Sequence, residues 1–396
     1  MKFLILTQYY PPEMGAPQTR LSELAAGLKD LGWKVGVVTA MPNYPKGKIF
    51  EGYTGKFSVK ESKDDIAIKR YWLYPSNSAR ALPRIISMLS FSFTALFSVF
   101  FVRKFKPDYI FVESPPLTLG FSGWLLAIFS GSRFVFNVSD LYPLSAKELG
   151  IIDEGFLYKS IELLEKFLYR RATFCSGQSR EIVDYIKKKG AKKTLLFRNG
   201  VNFKRFEGTS GEKRNGKIRL VYAGLLGVAQ GIFEICRNVK FGDLNVEFHI
   251  YGAGAERDLI ENFVSENPDS NVFLHPVVNK QEIPAILKSF DGTIIPLKKN
   301  IYGAVPSKIY EAMAAGLPII YSGEGEACGI IEENQVGWIS PASDYRKLEH
   351  NINDFAKSAE KRSLYSNNGI SSAFNIYNRK IQVEKLHDFL SENLEN

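Results

Sequence analysis

The chain has 396 residues, of which 45% are hydrophobic, and a formal net charge of +9 at pH 7. That length suits two domains of about 190 residues each, and the composition excludes a disordered chain. A basic chain suits a nucleotide diphosphate, an anionic membrane surface or nucleic acid. We expect no nucleic acid partner, because no zinc-finger spacing, RNA-binding aromatic motif or long Lys/Arg tract occurs. Three isolated cysteines form no metal or disulfide pattern, which favours a reducing compartment.

The first half of the chain alternates strand-like and helix-like segments. The apolar run at residues 2–7 lacks the length and cleavage site of a signal peptide and predicts a first strand. A loop and a helix follow, and Gly32 ends that helix. Further strands are predicted at residues 34–39, 109–112, 134–138 and 195–197. Repeated strand–helix–strand units predict a parallel sheet.

The second half repeats this alternation after a polar, glycine-rich stretch at residues 207–216, which has linker composition. Its predicted strands lie at residues 218–222, 246–251, 292–296 and 317–321. We therefore predict two doubly wound α/β domains, at residues 1–198 and 199–375, and a last segment at 376–396 that contains a helix. Such sheets bind ligands at the carboxyl ends of their strands, so a cleft between the two halves is the expected site.

Residues 305–320 (VPSKIYEAMAAGLPII) carry the strongest functional pattern. Pro306 suits the first turn of a helix, Gly316 ends that helix, and the apolar run beyond it starts a buried strand. A helix N-terminus of this kind favours anions. Lys308 and Glu311 lie about one turn apart on one face. One can meet a phosphate while the other accepts hydrogen bonds from sugar hydroxyls; the alternative is an ordinary helix with solvated charges.

Two glycine-rich turns follow predicted strands of the second half. Residues 222–231 (YAGLLGVAQG) pass from strand to helix, and turns of this kind bind phosphates through backbone N–H groups. Gly224 and Gly227 are the candidate residues in that turn. The second turn contains Gly252 and Gly254, which serve either as a structural turn or as a wall for a nucleotide base.

Two segments of the first half are expected at one edge of its sheet. Gly15 lies in the loop after the first strand, where a missing side chain lets the backbone approach a ligand. Asp140 follows the strand at 134–138, and a carboxylate there can orient or deprotonate a hydroxyl. The alternatives are an ordinary connecting loop at Gly15 and a helix N-cap at Asp140.

A nearly continuous apolar segment occupies residues 85–102, with Arg80 and Arg84 before it and Arg103 and two lysines after it. Its length is at the short limit for crossing a bilayer, and serines and a threonine dilute it. Three interpretations stay open at this point. The segment is a helix of the first domain, an interfacial membrane helix with basic flanks, or a span.

The pattern at residues 305–320 resembles the donor-binding motif of the family 4 retaining glycosyltransferases. That family has the GT-B fold, in which two Rossmann-like doubly wound domains face each other across a cleft. The resemblance implies that Glu311 binds the nucleotide ribose. The family often has a second glutamate eight residues earlier, where this chain has Gly303, so no role is implied there. The turn at 199–201 (NGV) resembles the family's element at the domain junction, and the last helix is expected to cross back onto the first domain.

The turn at 222–231 departs from the commoner family pattern, because Leu225 and Gln230 stand where Arg and Lys bind the donor diphosphate. This Gln-Gly form resembles a branch that transfers N-acetylated amino-deoxy sugars of the fucosamine type into bacterial surface polysaccharides. Gln230 then joins the donor-binding candidates, and Lys308 with Ser307 would supply the missing contact to the diphosphate. Asp140 resembles the acidic half of the family's His-Asp element, and Ser139 stands in place of the histidine.

The resemblance implies an enzyme that moves a sugar from a nucleotide-sugar, expected to be a UDP-linked N-acetylated hexosamine or deoxyhexosamine. The expected acceptor is a lipid-linked (polyprenyl-diphosphate) glycan of capsule, O-antigen or exopolysaccharide synthesis, with retention of configuration. We predict catalytic roles for Asp140 and Lys308. No metal and no cofactor are expected, because the chain lacks the Asp-any-Asp triplet that holds a metal in the other main glycosyltransferase fold.

The expected location is peripheral, on the cytoplasmic face of the plasma membrane and against its anionic surface. Two alternatives to a transferase remain. One is a nucleotide-sugar epimerase of the same fold. The other is a non-catalytic, membrane-bound partner that retained the fold, which the missing glutamate and the missing basic pair favour.

Overall fold

The computed structural model describes residues 1–78, 80–148, 150–211, 216–299 and 301–395, so residues 212–215 of the predicted linker lie outside the described part. The chain divides into two compact units. The first comprises Met1–Arg198 and Gln382–Asn396, and the second comprises Asn199–Ile381. The chain thus re-enters the first unit at Gln382, beyond the predicted start of the last segment at residue 376.

The first unit is built on an eight-stranded sheet in the order β3-β4-β2-β1-β5-β6-β7-β8. Its strands are β1 Lys2–Thr7, β2 Lys34–Ala40, β3 Ser58–Lys63, β4 Ile66–Tyr71, β5 Tyr109–Ser114, β6 Arg133–Val138, β7 Phe174–Gly177 and β8 Thr194–Leu196. All neighbours pair in parallel except β3 and β4, which form an antiparallel hairpin at the edge. The central strands are almost wholly buried, as their continuous apolar runs predict.

Helices cover both faces of this sheet. They are α1 Ala16–Asp30, α2 Ala81–Ala95, α3 Val99–Phe105, α4 Leu117–Ser130, α5 Leu144–Glu148, α6 Phe156–Arg171, α7 Arg180–Lys188 and the end of α15 Arg379–Glu395. The last helix is held by Trp33, whose Nε1 donates to His387 Nδ1 at 2.7 Å, and by the Tyr109 hydroxyl, which donates to the Leu390 carbonyl at 2.8 Å. The C-terminal residues are therefore part of the core of the first unit.

The apolar segment at 85–102 forms α2, a short 3₁₀ turn at Leu96–Ser98 and α3. Its hydroxyl side chains point into the domain: Ser92 hydrogen-bonds Thr118 of α4 at 2.8 Å, and Thr94 donates to the Trp72 carbonyl at 2.5 Å. By length and composition the helical stretch Leu82–Phe105 would suffice to cross a membrane. The structure gives this segment one face packed on the domain and one exposed apolar face.

The second unit has a six-stranded parallel sheet in the order β11-β10-β9-β12-β13-β14. Its strands are β9 Ile218–Ala223, β10 Val246–Tyr251, β11 Val272–His275, β12 Gly292–Pro296, β13 Ile319–Ser322 and β14 Gly337–Ser340. Its helices are α8 Ile232–Asn238, α9 Arg257–Glu266, α10 Ile283–Lys288, α11 Lys308–Ala315, α12 Glu326–Asn334, α13 Tyr345–Lys357, α14 Ala359–Asn375 and the first turn of α15. Both units are thus doubly wound α/β structures, which confirms the predicted fold class.

The helix predicted from residues 305–320 is present as α11, but it starts later than expected. Ser307 is its N-cap and Lys308 its first residue, so the prediction that Pro306 occupies the first turn is wrong. Gly316 ends the helix at φ 69°, in the left-handed region that favours glycine. Lys308 therefore lies in the first turn of α11, which follows β12 in the chain.

Candidate functional site

The two glycine-rich turns of the second unit interlock at the carboxyl edge of its sheet. Gly224 N–H donates to the Tyr251 carbonyl and Leu226 N–H to the Ala253 carbonyl, each at 2.9 Å. A Cβ atom at Gly252 would lie 1.9 Å from the Gly224 carbonyl oxygen, and one at Gly254 would lie 2.3 Å from that of Leu226. Both glycines are therefore required for the approach of the two turns, which accounts for them structurally without a ligand.

Arg257 links the second glycine turn to the strand β11 by hydrogen bonds. Its guanidinium donates to the Gly252 carbonyl at 2.6 Å and to the His275 carbonyl at 3.2 Å. The second glycine turn is thus tied to β11 on one side and to the first turn on the other. Sequence reasoning missed this residue, because a lone Arg after a turn has no pattern.

Lys308 lies directly against the first glycine turn. A Cβ atom at Gly224 would be 2.1 Å from Lys308 Cε and 2.6 Å from its Nζ, so only glycine leaves room for this side chain. The ammonium also lies 5.3 Å from the centre of the Tyr222 ring. Burial lowers the pKa of Lys308, and the nearby Glu311 carboxylate partly opposes this effect. The structure therefore brings the predicted cation to the predicted phosphate-binding turn.

Three other predicted donor-binding residues are Ser307, which precedes this cation in the chain, and Gly227 and Gln230 of the first glycine turn. Ser307 caps α11 by its backbone position only, and its hydroxyl makes no capping hydrogen bond. Gly227 accepts the Gln230 N–H through its carbonyl at 3.0 Å, which closes the turn. The Gln230 side chain folds back over Gly227, and its Oε1 atom is buried with no partner within the described residues. This amide is the one donor-side candidate with an unused buried acceptor atom.

Glu311 does not stand alone on α11, because Arg205 lies beside it. Their side chains form an ion pair at 3.5 Å, and both remain about a quarter exposed. Arg205 is anchored in turn by donating to the Lys280 carbonyl at 2.9 Å. Arg205 follows the 199–201 turn closely, so that turn places a cation next to the predicted ribose-binding carboxylate. No spacing in the sequence could have revealed this pair.

Gly303, which replaces the family's first glutamate, has φ 85° and is buried. L-residues with side chains are strained in that region of conformational space. The departure from the family pattern is therefore supported by the backbone, since a glutamate at this position would require a different loop.

On the first unit, Gly15 and Asp140 follow β1 and β6, whose carboxyl ends meet at one edge with β5 between them. Gly15 is the N-cap of α1, and its extended backbone (φ 170°) does not itself demand glycine. Glu13, which sequence reasoning missed, is buried beside it and accepts the backbone N–H groups of Asn43 at 2.7 Å and Tyr44 at 2.8 Å. This carboxylate fixes the loop that carries Gly15.

Asp140 is half-buried at this edge. Burial raises the pKa of its carboxyl group, and hydrogen bonds from the Ser145 hydroxyl and the Leu141 N–H partly oppose the rise. A base with a raised pKa accepts a proton more readily, which suits the predicted role toward a hydroxyl.

Ser139, in place of the family's histidine, belongs to a buried polar network. Its hydroxyl donates to Glu113 at 2.5 Å and accepts from Arg20 at 2.8 Å and Asn137 at 3.2 Å. Arg20 also forms a buried ion pair with Glu113. The Ser139 hydroxyl is therefore fully engaged within the protein, and its role is to hold the segment that carries Asp140.

Arg84, which the sequence indicated only as a basic flank of the apolar segment, also influences two tyrosines of the first unit. It lies in the first turn of α2, and its charge opposes the burial effect that raises the pKa of Tyr142 and of Tyr9. Tyr142 is two residues beyond Asp140. Arg84 therefore brings a positive charge near the segment that carries Asp140.

No group of three His, Cys, Asp or Glu side chains suited to a metal ion occurs among the described residues. The buried His249 is satisfied, because its Nδ1 atom lies 2.8 Å from His275 Nε2. Desolvation lowers the pKa of His275 to about 4, with the His249 and Arg219 charges as smaller causes.

Comparison with known families agrees with this geometry. The family model "Glycosyl transferase 4-like domain" matches residues 15–200, and the model "Glycosyl transferases group 1" matches residues 204–372. The putative colanic acid biosynthesis glycosyl transferase WcaI of Escherichia coli is 26% identical over 333 residues, which cover 80% of this chain and 82% of that protein. The putative colanic acid biosynthesis glycosyltransferase WcaL of the same species is 24% identical, over 56% of this chain and 60% of its own length.

Solved structures share the fold over the full length. Sucrose-phosphate synthase from Thermosynechococcus elongatus superposes with a TM-score of 0.77 at 15% identity, covering 100% of this chain and 99% of that one. Anabaena HepE in complex with UDP and glucose has a TM-score of 0.70 at 14% identity, covering 99% of this chain and 100% of that one. Two doubly wound units of this kind define the GT-B class of glycosyltransferases.

The matches to both domain models, read with the glycine turns and α11, identify the family within that class. The chain belongs to the family 4 glycosyltransferases.

Proposed function

We propose that this glycosyltransferase transfers an N-acetylated hexosamine or deoxyhexosamine from a UDP-sugar to a lipid-linked glycan during surface polysaccharide synthesis, with retention of configuration. The observation that carries the proposal is the position of Lys308 against Gly224, one helical turn from Glu311. A cation at a glycine-rich turn suits a diphosphate, and a partly exposed carboxylate suits ribose hydroxyls. The names of WcaI and WcaL support the polysaccharide context, and HepE with bound UDP supports the donor class.

Each candidate has a separate task in this proposal. Glu311 accepts hydrogen bonds from the ribose, and Arg205 keeps its carboxylate oriented. Lys308, Ser307, Gln230 and the backbone of the first glycine turn hold the diphosphate. Charge develops on the leaving diphosphate during transfer, so a preorganised ammonium stabilises the transition state more than the ground state. We propose that Lys308 and the N-terminus of α11 perform this task without a metal or cofactor.

On the acceptor side, Asp140 orients the attacking hydroxyl or takes its proton. The buried network around Ser139 holds the Asp140 segment, and Glu13 holds the loop that carries Gly15. Arg84 places a cation near the same edge, where it suits the diphosphate of a polyprenyl-linked acceptor.

We further propose a peripheral location on the cytoplasmic face of the plasma membrane. The outer face of α2 and α3 is apolar, and Arg103 and Lys104 in the last turn of α3 and Lys106 directly after it add cations. Each such cation near an anionic surface contributes about 1 kcal/mol, and salt screens it. Replacing the three by Gln should weaken binding to anionic vesicles as high salt does. Transfer to a short water-soluble acceptor should remain nearly unchanged.

A radiolabelled UDP-sugar assay tests the proposal against its alternatives. Product that requires an acceptor supports a transferase, whereas turnover without acceptor indicates an epimerase. Donor binding with no turnover on any acceptor indicates a non-catalytic partner. A thermal-shift panel of UDP- and GDP-sugars selects the donor first. A ligand at about a hundred times its dissociation constant adds about 2.7 kcal/mol to the free energy of unfolding.

A further inference from the structure

α2, the 3₁₀ turn and α3 carry most of their hydroxyl side chains on the inner side, together with the buried Phe91 and Val102, and large apolar side chains on the outer side. Ser87, Ser92, Thr94 and Ser98 are buried, whereas Phe93 is 65% exposed and Phe100 is 79% exposed. The exposed apolar residues recur at helical spacing along one side: Leu82, Ile85, Ile86, Leu89, Phe93, Phe97 and Phe100. A soluble domain rarely leaves such a continuous apolar stripe in water.

The stripe does not end with α3, because α4 extends it. This helix has no charged residue, and Phe121, Ile128 and Phe129 are exposed on it. α4 is joined to α2 by the Ser122 hydroxyl, which donates to the Ser92 carbonyl at 2.6 Å, so the two helices are neighbours. The apolar surface is thus at least two helices wide.

The next helix, α6, continues the surface on the other side of α4. Phe167 of α6 packs edge-on against Trp124 of α4, with ring centres 4.8 Å apart. Leu163 and Phe156 lie one and three turns earlier on the same side of α6, with exposures of 66% and 89%. We call the exposed apolar residues of α2, α3, α4 and α6 the three-helix face, counting α2 and α3 as one helical stretch.

The charges on this face have a single sign. No Asp or Glu occurs in α2, α3 or α4. The acidic residues of α6 are engaged elsewhere: Glu165 is wholly buried and Glu162 pairs with lysines. Arg103 donates to the Phe129 carbonyl at 3.2 Å, and Arg171 lies 5.9 Å from the Trp124 ring centre, so cations stand on both sides of α4. Apolar side chains interleaved with cations match an anionic lipid surface.

We propose that the whole three-helix face, including α4 and α6, rests on an anionic lipid bilayer. This inference deepens the proposed function, on whose membrane location it rests. The strands before α2 and α4 are β4 and β5, which are parallel within the sheet, so both helices follow the carboxyl edge that carries Asp140, and α6 follows the short α5 beyond β6. A bilayer on this face therefore meets the edge where the acceptor hydroxyl is expected. Because the inner side of α2 is bonded to α4, the segment lies on the bilayer and does not cross it.

The test measures partition of the full chain onto vesicles of phosphatidylethanolamine and phosphatidylglycerol. One variant carries Ile128→Gln and Phe129→Gln on α4, and another carries Phe156→Gln and Leu163→Gln on α6. The control carries Leu259→Gln and Leu364→Gln on the second unit, which are 47% and 48% exposed. We expect the α4 and α6 variants to lose about tenfold or more in partition coefficient. The control should bind like the wild type, and all four proteins should unfold at similar temperatures.

A second readout locates the face directly. Brominated lipids should quench part of the tryptophan fluorescence of the bound protein, and Trp124→Phe should remove a large share of that quenching. Arg171→Gln should weaken binding about fivefold, as expected for one cation at an anionic surface. Neutral phosphatidylcholine vesicles should bind the wild type less.

Three results would overturn the inference. Unchanged vesicle binding by the α4 and α6 variants would restrict the contact to α2 and α3. A wild-type dimer that these variants dissociate, without effect on lipid binding, would assign the face to a second copy of the chain. Absence of vesicle binding by the wild type would remove the lipid altogether. In that last case, transfer to a water-soluble acceptor would show whether the transferase assignment stands independently.

Discussion

The carboxyl edges of the two sheets are held together differently. In the second unit, glycines allow neighbouring turns to pack closely. In the first unit, buried polar side chains hydrogen-bond the neighbouring segments to each other. Gly252 and Gly254 leave space for neighbouring carbonyl groups, and Gly224 leaves space for Lys308. At the other edge Arg20, Glu113 and Ser139 form one buried hydrogen-bonded group. The turns of the second unit thus leave no space for a side chain at Gly224, Gly252 or Gly254, whereas the corresponding edge of the first unit depends on a complementary set of polar groups.

The largest expected effect is on transfer activity and concerns the second unit. Glu311→Ala should abolish transfer while leaving the fold intact, because the side chain is partly exposed on α11. Lost hydrogen bonds to a charged acceptor cost about 1.5–3 kcal/mol, and more in the transition state. Steady-state kinetics and thermal unfolding are the measurements, with Glu311→Gln as the control that retains an acceptor oxygen. Wild-type activity in a folded Ala variant would contradict the proposed role of Glu311 in binding the donor ribose.

The next effect concerns stability, on the side built from buried groups. Arg20→Met should lower the free energy of unfolding by about 3–5 kcal/mol, since it leaves Glu113 buried without its partner. Urea denaturation measures this change. Adding Glu113→Gln should recover part of the loss, because neighbouring substitutions are not additive. A loss below about 1 kcal/mol would contradict the idea that side chains hold this edge together.

Lys308→Met separates activity from stability on the donor side. We expect kcat/KM to fall by about 10²–10³, as for loss of one preorganised donor to a developing anion. Burial lowers the pKa of Lys308 in the folded protein, so the unfolded chain binds more protons between the two pKa values. The free energy of unfolding of the wild type should therefore rise with pH in that window, and Lys308→Met should remove this rise. An unchanged kcat/KM would remove Lys308 from the diphosphate site.

The pH dependence of transfer tests the proposed role of Asp140 in the first unit. Burial raises the pKa of Asp140, so a base role predicts that transfer falls as pH decreases through a value above the ordinary range of Asp. The decline should approach tenfold per pH unit. Asp140→Asn should lower the rate at neutral pH and eliminate this acidic limb. An Asn variant with an unaltered acidic limb would assign the titration to another group.

The smallest expected effect is none. Transfer should survive EDTA, because the proposed site uses Lys308 and a helix N-terminus for the leaving diphosphate. Activity is measured before and after chelation, then after addition of manganese or magnesium. Activity that is lost in EDTA and restored by either metal would refute a metal-free site.

Much of the architecture was predictable, and the misses have physical causes. The central strands have continuous apolar runs, which mark buried parallel strands. The β3–β4 hairpin was missed because β3 is a half-exposed edge strand (SVKESK) without a clear apolar alternation. Pro306 was placed inside the helix although it lies just before the N-cap, since sequence alone does not locate the N-cap at Ser307.

The sequence by itself determined the parallel strands, the glycine turns and the pairing of Lys308 with Glu311 on one helix, because each depends on near neighbours in the chain. Only the tertiary structure decided which distant groups meet. It placed Arg205 beside Glu311, Lys308 against Gly224 and Arg20 on Ser139. It also decided that the Ser92 hydroxyl of α2 faces inward and Phe93 outward, because Thr118 of α4 hydrogen-bonds that hydroxyl. Such contacts depend on the packing of whole elements, which local propensity and spacing do not specify.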